Sequence, residues 1–200
     1  AHEILGKPLV RWVVDAAREA GADRIVSVVG HAREIVEPLV SDTEVVVQKA
    51  QRGTADAVLT CKEALAGFDG SLLVLSGDCP LITPDTIREL ADMRARSNAA
   101  VVVLTMELDD PFGYGRIIRD GEGRVERIVE QKDANAAEAA VTECNSGFYC
   151  FDAQALFEAL EQVGSDNIAG HSSVGGMAHG NCMTWGMISA ENAVKHAQEQ

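Results

Sequence analysis

Two hundred residues are enough to bury one sizeable core, and 46% hydrophobic with 24% charged residues is the composition expected of a globular domain. No apolar run is long enough to cross a bilayer as a helix, so a helical membrane span is excluded. The 31 acidic residues outnumber the 17 basic ones for a net charge of −14, which disfavours nucleic-acid backbones and anionic lipid surfaces. A site for a phosphorylated ligand in so acidic a chain needs local donors, a metal, or both.

The first 110 residues alternate helical and extended patterns. Leu9, Trp12, Val13 and Ala16 share one helical face, predicting a helix over Pro8–Ala20 that Gly21 ends. There follow a strand at Arg24–Val29, a short helix at His31–Leu39, a strand at Thr43–Gln48 and a helix at Thr54–Ala66. Then come a strand at Ser71–Leu75, a helix at Thr83–Arg96 and a longer strand at Ala99–Leu108. Nearly all-apolar strands such as Val101–Leu104 imply a mostly parallel sheet covered by helices on both faces, a Rossmann-like α/β fold. After Asp110 the pattern changes: Arg116–Arg119 and Arg124–Val129 flank the Asp120-Gly121 turn as a hairpin, and Thr142–Phe151 reads as a strand, together an antiparallel insert. Asp152 is placed to cap a helix over Ala153–Glu161. Gly164–Gly186 shows no period and reads as loop, and a last short helix is expected from about Ser189 to Gln200. The expected organisation is one domain over 1–200: a nucleotide-binding part to residue 110, the insert over 111–151, and a helical and loop segment over 152–200. A sheet of this kind normally opens with a central strand and a glycine-rich loop, whereas here a few polar residues lead directly into the first helix, so the first strand is expected to be absent.

Cys61, Cys79, Cys144, Cys150 and Cys182 lack zinc-type spacing, and an odd count predicts free thiols in a reducing cytoplasm, with Cys79 partly exposed beside Asp78. His31, His171, His179 and His196 form no metal-ligand pattern, and no serine or cysteine has a base partner for nucleophilic chemistry.

Four short segments carry the candidate chemistry. In Ser71–Ile82 the apolar run stops on Ser76-Gly77-Asp78, placing Asp78 just past the carboxyl end of a buried strand, where open α/β sheets bind ligands. A carboxylate there suits a divalent cation bridging phosphate oxygens, or simply ends a strand in a turn. Gly53 and Thr54 lie between strand and helix, suited to an anion or a base edge, or to helix capping. The Gln48 amide can donate and accept at once, as a nucleobase edge requires. Gly115 lets backbone approach a ligand, and Glu130 and Asn145 supply the acceptors and donors that sugar hydroxyls demand, or are a surface charge and a strand-end amide.

In this order and spacing the segments resemble the uridyltransferase domain of bacterial N-acetylglucosamine-1-phosphate uridyltransferases, over roughly Ala1 to Asn167. The resemblance is carried by LGKPLVRWVVDAA (Leu5–Ala17), QKAQRGTADAV (Gln48–Val58), LVLSGDCPLI (Leu73–Ile82), DDPFGYGRIIR (Asp109–Arg119), IVEQKDA (Ile128–Ala134) and ECNSGFYCF (Glu143–Phe151). It implies that Gln48 reads uracil, Gly53 and Thr54 line the nucleotide, Ser76 and Gly77 adjoin the ligand, and Gly115, Glu130 and Asn145 contact the amino sugar. It further implies a catalytic Mg²⁺ on Asp78, with Asn192, or else Glu191, as second ligand. The implied reaction makes UDP-N-acetylglucosamine and pyrophosphate from UTP and N-acetylglucosamine 1-phosphate, for peptidoglycan and lipopolysaccharide precursors, without a covalent enzyme intermediate.

Two departures qualify this. The glycine-rich loop with its arginine and lysine, which clamps the triphosphate in the family, has no counterpart here, so little or no turnover is expected of the chain as given. The β-helix acetyltransferase domain through which the family trimerises has no counterpart either, so a trimer is expected only in its presence. The rival readings are another sugar-nucleotide pyrophosphorylase and a non-catalytic module that binds a nucleotide sugar.

Overall fold

The structure, a computed structural model, describes residues 2–50, 53–163 and 185–190. The chain opens with a two-residue hairpin, β1 (Glu3–Ile4) and β2 (Lys7–Pro8), turning through Leu5 and Gly6 at φ 54° and 73°. Strands this short leave no periodic trace in sequence. Helix α1 (Leu9–Glu19) follows, then β3 (Arg24–Val29) and α2 (Arg33–Val36) with a 3₁₀ turn over Glu37–Val40. The expected helix at His31–Leu39 is thus shortened and split: Ala32 sits at φ 53°, and Pro38 lies in the 3₁₀ turn. Next come β4 (Glu44–Val47), α3 (Thr54–Thr60), β5 (Ser71–Ser76), α4 (Pro84–Ser97) and β6 (Val101–Glu107). Helix α3 stops six residues before the expected Ala66, because the backbone tightens into i→i−3 bonds at Cys61, Lys62, Ala66 and Phe68. Thr83 Oγ1 accepts from Thr86 N (3.2 Å) to cap α4, with Pro84 in the first turn, and Asn98 ends the helix at φ 50°.

The insert is β7 (Arg116–Arg119), β8 (Val125–Val129), α5 (Ala136–Ala139) and β9 (Glu143–Asp152). Helix α5 was not foreseen, although Asn135 and Glu138 close a capping box around it. Helix α6 (Ala153–Val163) begins where Asp152 Oδ1 accepts from Ala155 N (2.9 Å), as the sequence predicts. Last comes strand β10 (Trp185–Ala190), where loop and a helix starting near Ser189 were expected. Asn192, Glu191, Cys182, His171, His179 and His196 lie outside the described residues.

The main sheet runs β4-β3-β10-β5-β9-β7-β8, with β6 also paired to β9. Strands β3 and β4 pair in parallel, β10 is antiparallel to both β3 and β5, and β9 is antiparallel to both β5 and β6. It follows that β4, β3, β5 and β6, the strands of the expected parallel sheet, all point one way. Their hydrogen bonding is nonetheless largely antiparallel, because β10 and β9 run between them in the opposite direction. Alternation along the strands feeds two cores. Ile25, Val29, Leu73 and Leu75 pack with Val10, Val13, Val14, Ile87 and Leu90 of α1 and α4. Val26, Val28, Leu72 and Val74 pack on the other face with Ala57 and Val58 of α3 and Leu156 and Leu160 of α6. Helices thus cover both faces, and the carboxyl ends of the four co-directional strands are left to the connecting loops.

Candidate active site

Gln48 stands one residue past the end of β4, its backbone N–H donating to Val29 O (2.8 Å) so that the residue is held against β3. Its side chain is almost wholly buried at 8% exposure. Nε2 donates to Gly53 O (3.2 Å) and to Asp56 Oδ2 (2.8 Å), tying the strand end to the first turn of α3. Gly53 is the residue before that helix and sits at φ 96°, a conformation that a side chain would strain. Thr54 is buried as the first helical residue, and no side chain caps α3, so the capping role open for Thr54 in the sequence is not the one it takes.

At the end of β5, Ser76 is buried and Cys79 N donates back to Ser76 O (3.3 Å), closing a tight turn around Gly77 and Asp78. The Asp78 carboxylate is half-buried and enters no ion pair with a described residue; its one recorded side-chain contact is the Cys79 thiol, Sγ to Oδ1 3.6 Å. Burial, then the Asp78 charge, pushes that thiol up to about 11. Cys61, Cys144 and Cys150 are buried free thiols whose ionisation burial also opposes, as packing residues require. A single hard carboxylate that no cation among the described residues pairs with is a donor suited to a divalent metal ion. Among the described residues no group of three or more histidine, cysteine or carboxylate side chains offers a ready-made metal cage.

The insert brings its three candidates together. A Cβ built on Gly115 would stand 3.3 Å from Glu130 Oε1 and 3.7 Å from Asn145 Cβ. Asn145 N donates to Gly115 O (2.8 Å), and the Asn145 side chain is fixed at both ends: Gly147 N donates to Oδ1 (3.0 Å) and Nδ2 donates to Tyr149 Oη (2.6 Å). Burial raises the Tyr149 phenol to about 12, the Asn145 bond opposing and the Glu130 charge adding to the shift. Gly147, at φ 82°, lies opposite a register break between Val103 and Thr105 of β6, where Ser146 Oγ donates to Leu104 O (2.6 Å). A Cβ on Gly147 would be 3.9 Å from Ser76 Oγ, so the cluster of Gly115, Glu130 and Asn145 adjoins the turn that carries Asp78.

Gln48, Gly53, Thr54, Ser76, Gly77 and Asp78 therefore lie along the carboxyl edge of β4 and β5, and Gly115, Glu130 and Asn145 adjoin it through β9. Three further contributors carry no motif of their own. Asp56 orients Gln48, and Tyr149 orients Asn145 from the same face of β9 four residues on; the strand period of two was the available signal. Gln131 Oε1 accepts from both Gly113 N (3.1 Å) and buried Arg116 Nη2 (2.7 Å), while Arg116 also donates to Tyr114 O, pinning the Gly113–Arg116 turn to the end of β8. A groove of about 760 Å³ lies elsewhere, between α4, β6 and the β7–β8 hairpin. Its walls include Met93, Val101, Val103, Val125 and Phe151, and share Tyr149 with the site, but hold none of Gln48, Gly53, Thr54, Ser76, Gly77, Asp78, Gly115, Glu130 and Asn145. Convergent polar groups, and not cavity size, locate the site.

A sheet whose main strands run one way, with polar groups and the Asp78 carboxylate at its carboxyl edge, is the architecture of α/β proteins that bind ligands at that edge. The family model described as MobA-like NTP transferase domain matches residues 1–174, and the chain belongs to that family. The bifunctional protein GlmU of Geobacter metallireducens is 47% identical over 172 residues, covering 84% of this chain and 36% of that protein. GlmU of Lactobacillus helveticus is 50% identical over 170 residues, covering 84% and 37%. GlmU of Listeria monocytogenes serotype 4a is 48% identical over 170 residues, with the same coverage of 84% and 37%. The resemblance read from the motifs is thus borne out, and the chain spans little more than a third of the length of these relatives. Among solved structures, a UDP-glucose pyrophosphorylase complexed with UDP-glucose superposes with a TM-score of 0.61 at 20% identity, covering 83% of this chain and 72% of that one. The fold class expected from the sequence is borne out with it.

Proposed function

We propose that this chain is the uridylyl-transfer unit of an enzyme that makes UDP-N-acetylglucosamine and pyrophosphate from UTP and N-acetylglucosamine 1-phosphate. What supports the reading is one sheet edge that carries both groups of candidates: Gln48 bonded to Gly53 past the end of β4, and Gly115, Glu130 and Asn145 clustered beside the end of β5, where Gly147 adjoins Ser76. In the reaction an oxygen of the sugar phosphate forms a bond to the α-phosphorus of UTP as the bond to the bridging oxygen breaks, and pyrophosphate leaves with that electron pair. Gln48 orients the base, the Gly53–Thr54 turn lines the nucleotide, and Glu130 and Asn145 hold the amino sugar so that its phosphate faces the reacting phosphorus. Asp78, with Asn192 or else Glu191 as second ligand, would hold a magnesium ion, which would supply neutralisation of phosphate charge. The same reading takes residues 1–110 as the nucleotide part, 111–151 as the sugar-binding insert, and the cytoplasm as the site of action.

The test is calorimetry of the 200-residue chain with UDP-N-acetylglucosamine, UDP-glucose and UDP in the presence of Mg²⁺. The acetylated amino sugar is expected to bind tightest, and Asn145→Ala is expected to bring it down to the level of UDP. Equal affinity for the three ligands in the unmutated chain would instead assign the insert to something other than this sugar.

A further inference from the structure

The Gln48 amide has a determined orientation, and that orientation has a chemical meaning for the base it meets. Nε2 lies 3.2 Å from Gly53 O and 2.8 Å from Asp56 Oδ2, two groups that only accept hydrogen bonds. The flipped amide would set Oε1 against both a carbonyl and a carboxylate, so only one of the two placements is compatible with its surroundings. Both Nε2 hydrogens are thereby consumed inside the protein, so the amide does not donate and accept at once toward a base, as its chemistry alone suggests. Oε1 takes no hydrogen bond from a described residue, and it is an acceptor only.

We infer that Asp56, by holding Nε2 of the Gln48 amide and so leaving only its carbonyl oxygen to meet a ligand, is the positioning residue that selects a pyrimidine bearing a ring N–H and discriminates against cytosine. This rests on the proposal that Gln48 meets the base. Uracil presents a donor at N3, complementary to Oε1; cytosine presents a lone pair at the same ring position, and acceptor faces acceptor. A site that leaves its polar group unmatched by the wrong ligand discriminates more strongly than one that loses only packing. Gly53 O alone holds one Nε2 hydrogen and allows the amide to turn; the Asp56 carboxylate holds the second. The sequence carries this residue in the Gly53–Val58 segment, where it reads as an ordinary first-turn acid.

The experiment is calorimetry of the chain and two variants with UDP and with CDP. The unmutated chain is expected to favour UDP by about tenfold or more. Asp56→Ala is expected to lower UDP affinity and leave CDP affinity unchanged, narrowing the ratio to within about threefold. Asp56→Asn, whose Oδ1 still accepts from Nε2, is expected to keep the preference. A ratio unchanged in Asp56→Ala, or equal binding of UDP and CDP by the unmutated chain, overturns the inference while leaving a nucleotide site in place. Binding of neither nucleotide by the unmutated chain is the separate outcome that removes the uridine reading and this inference with it. Nitrogen-edited NMR of the Gln48 side chain gives a readout independent of folding of the variants: slow exchange of both Nε2 hydrogens in the unmutated chain supports the assignment, and rapid exchange of either contradicts it.

Discussion

Gly115 is where a single methyl group probes the site. Its backbone is not in the left-handed region, so alanine adds no strain there; what it adds is a Cβ 3.1 Å from Ile128 Cγ2 and 3.3 Å from Glu130 Oε1. Gly115→Ala is expected to push Glu130 aside, lowering affinity for UDP-N-acetylglucosamine by about tenfold, at a stability cost on the order of 1 kcal/mol. Affinity for UDP should not change. Calorimetry with both ligands checks this, and equal losses for the two would mean that Gly115 is not on the sugar side. Glycine before a helix, a carboxylate after an apolar strand and a strand-end amide each carry a local signature too weak to mark a site alone, and it was their order and spacing together that singled out the candidates. Asp56, Gln131 and Tyr149 were not among them, since their roles depend on which neighbour the fold brings within hydrogen-bond distance.

The insert shows at the scale of elements how charge supports the site's frame. Arg119 of β7 grips Glu143 of β9 through two bonds, 2.7 Å from Nε and 2.6 Å from Nη2, bracing one end of the strand that carries Asn145. The Arg119 guanidinium bond holds the Glu143 carboxyl below its ordinary value of 4.5, against the opposing effect of burial. A carboxylate whose folded value is depressed contributes stability that is complete above the unfolded value and is lost as pH falls through the folded one. Thermal unfolding is therefore expected to show a loss of stability below about pH 4.5 that is smaller in Glu143→Gln, whose side chain does not titrate. Identical pH profiles would show that this pair does not brace β9. The hairpin β7–β8 and the cap of α6 were legible because turn residues and a capping aspartate announce them. Helix α3 was overextended because Leu59, Cys61 and Leu65 keep an apolar spacing through the turns that follow it, and periodicity does not mark where hydrogen bonding tightens.

For the whole molecule the decisive feature is β10, which runs between β3 and β5 and pairs with both. The helices, the strands and the helical cover on both faces of the first 110 residues followed from βα alternation, but the strand order and the occupant of this central position did not. A six-residue strand following a glycine- and serine-rich stretch has no local signal strong enough to overrule a loop reading, and its identity is set by two distant strands that leave unsatisfied edges. A chain ending at residue 184 is expected to expose those edges of β3 and β5, to associate, and to lose its cooperative thermal transition. Size-exclusion chromatography and circular dichroism check this; a monomer with an unaltered transition would show that β10 contributes nothing to the sheet.

The account stands or falls on where the ligand sits, and a crystal structure of the chain with UDP-N-acetylglucosamine and Mg²⁺ answers that directly. The predicted result is uracil against Gln48 Oε1, the diphosphate beside Asp78 and the acetylated sugar between Glu130 and Asn145. Density in the groove between α4 and the β7–β8 hairpin, with the carboxyl edge of the sheet empty, would contradict it.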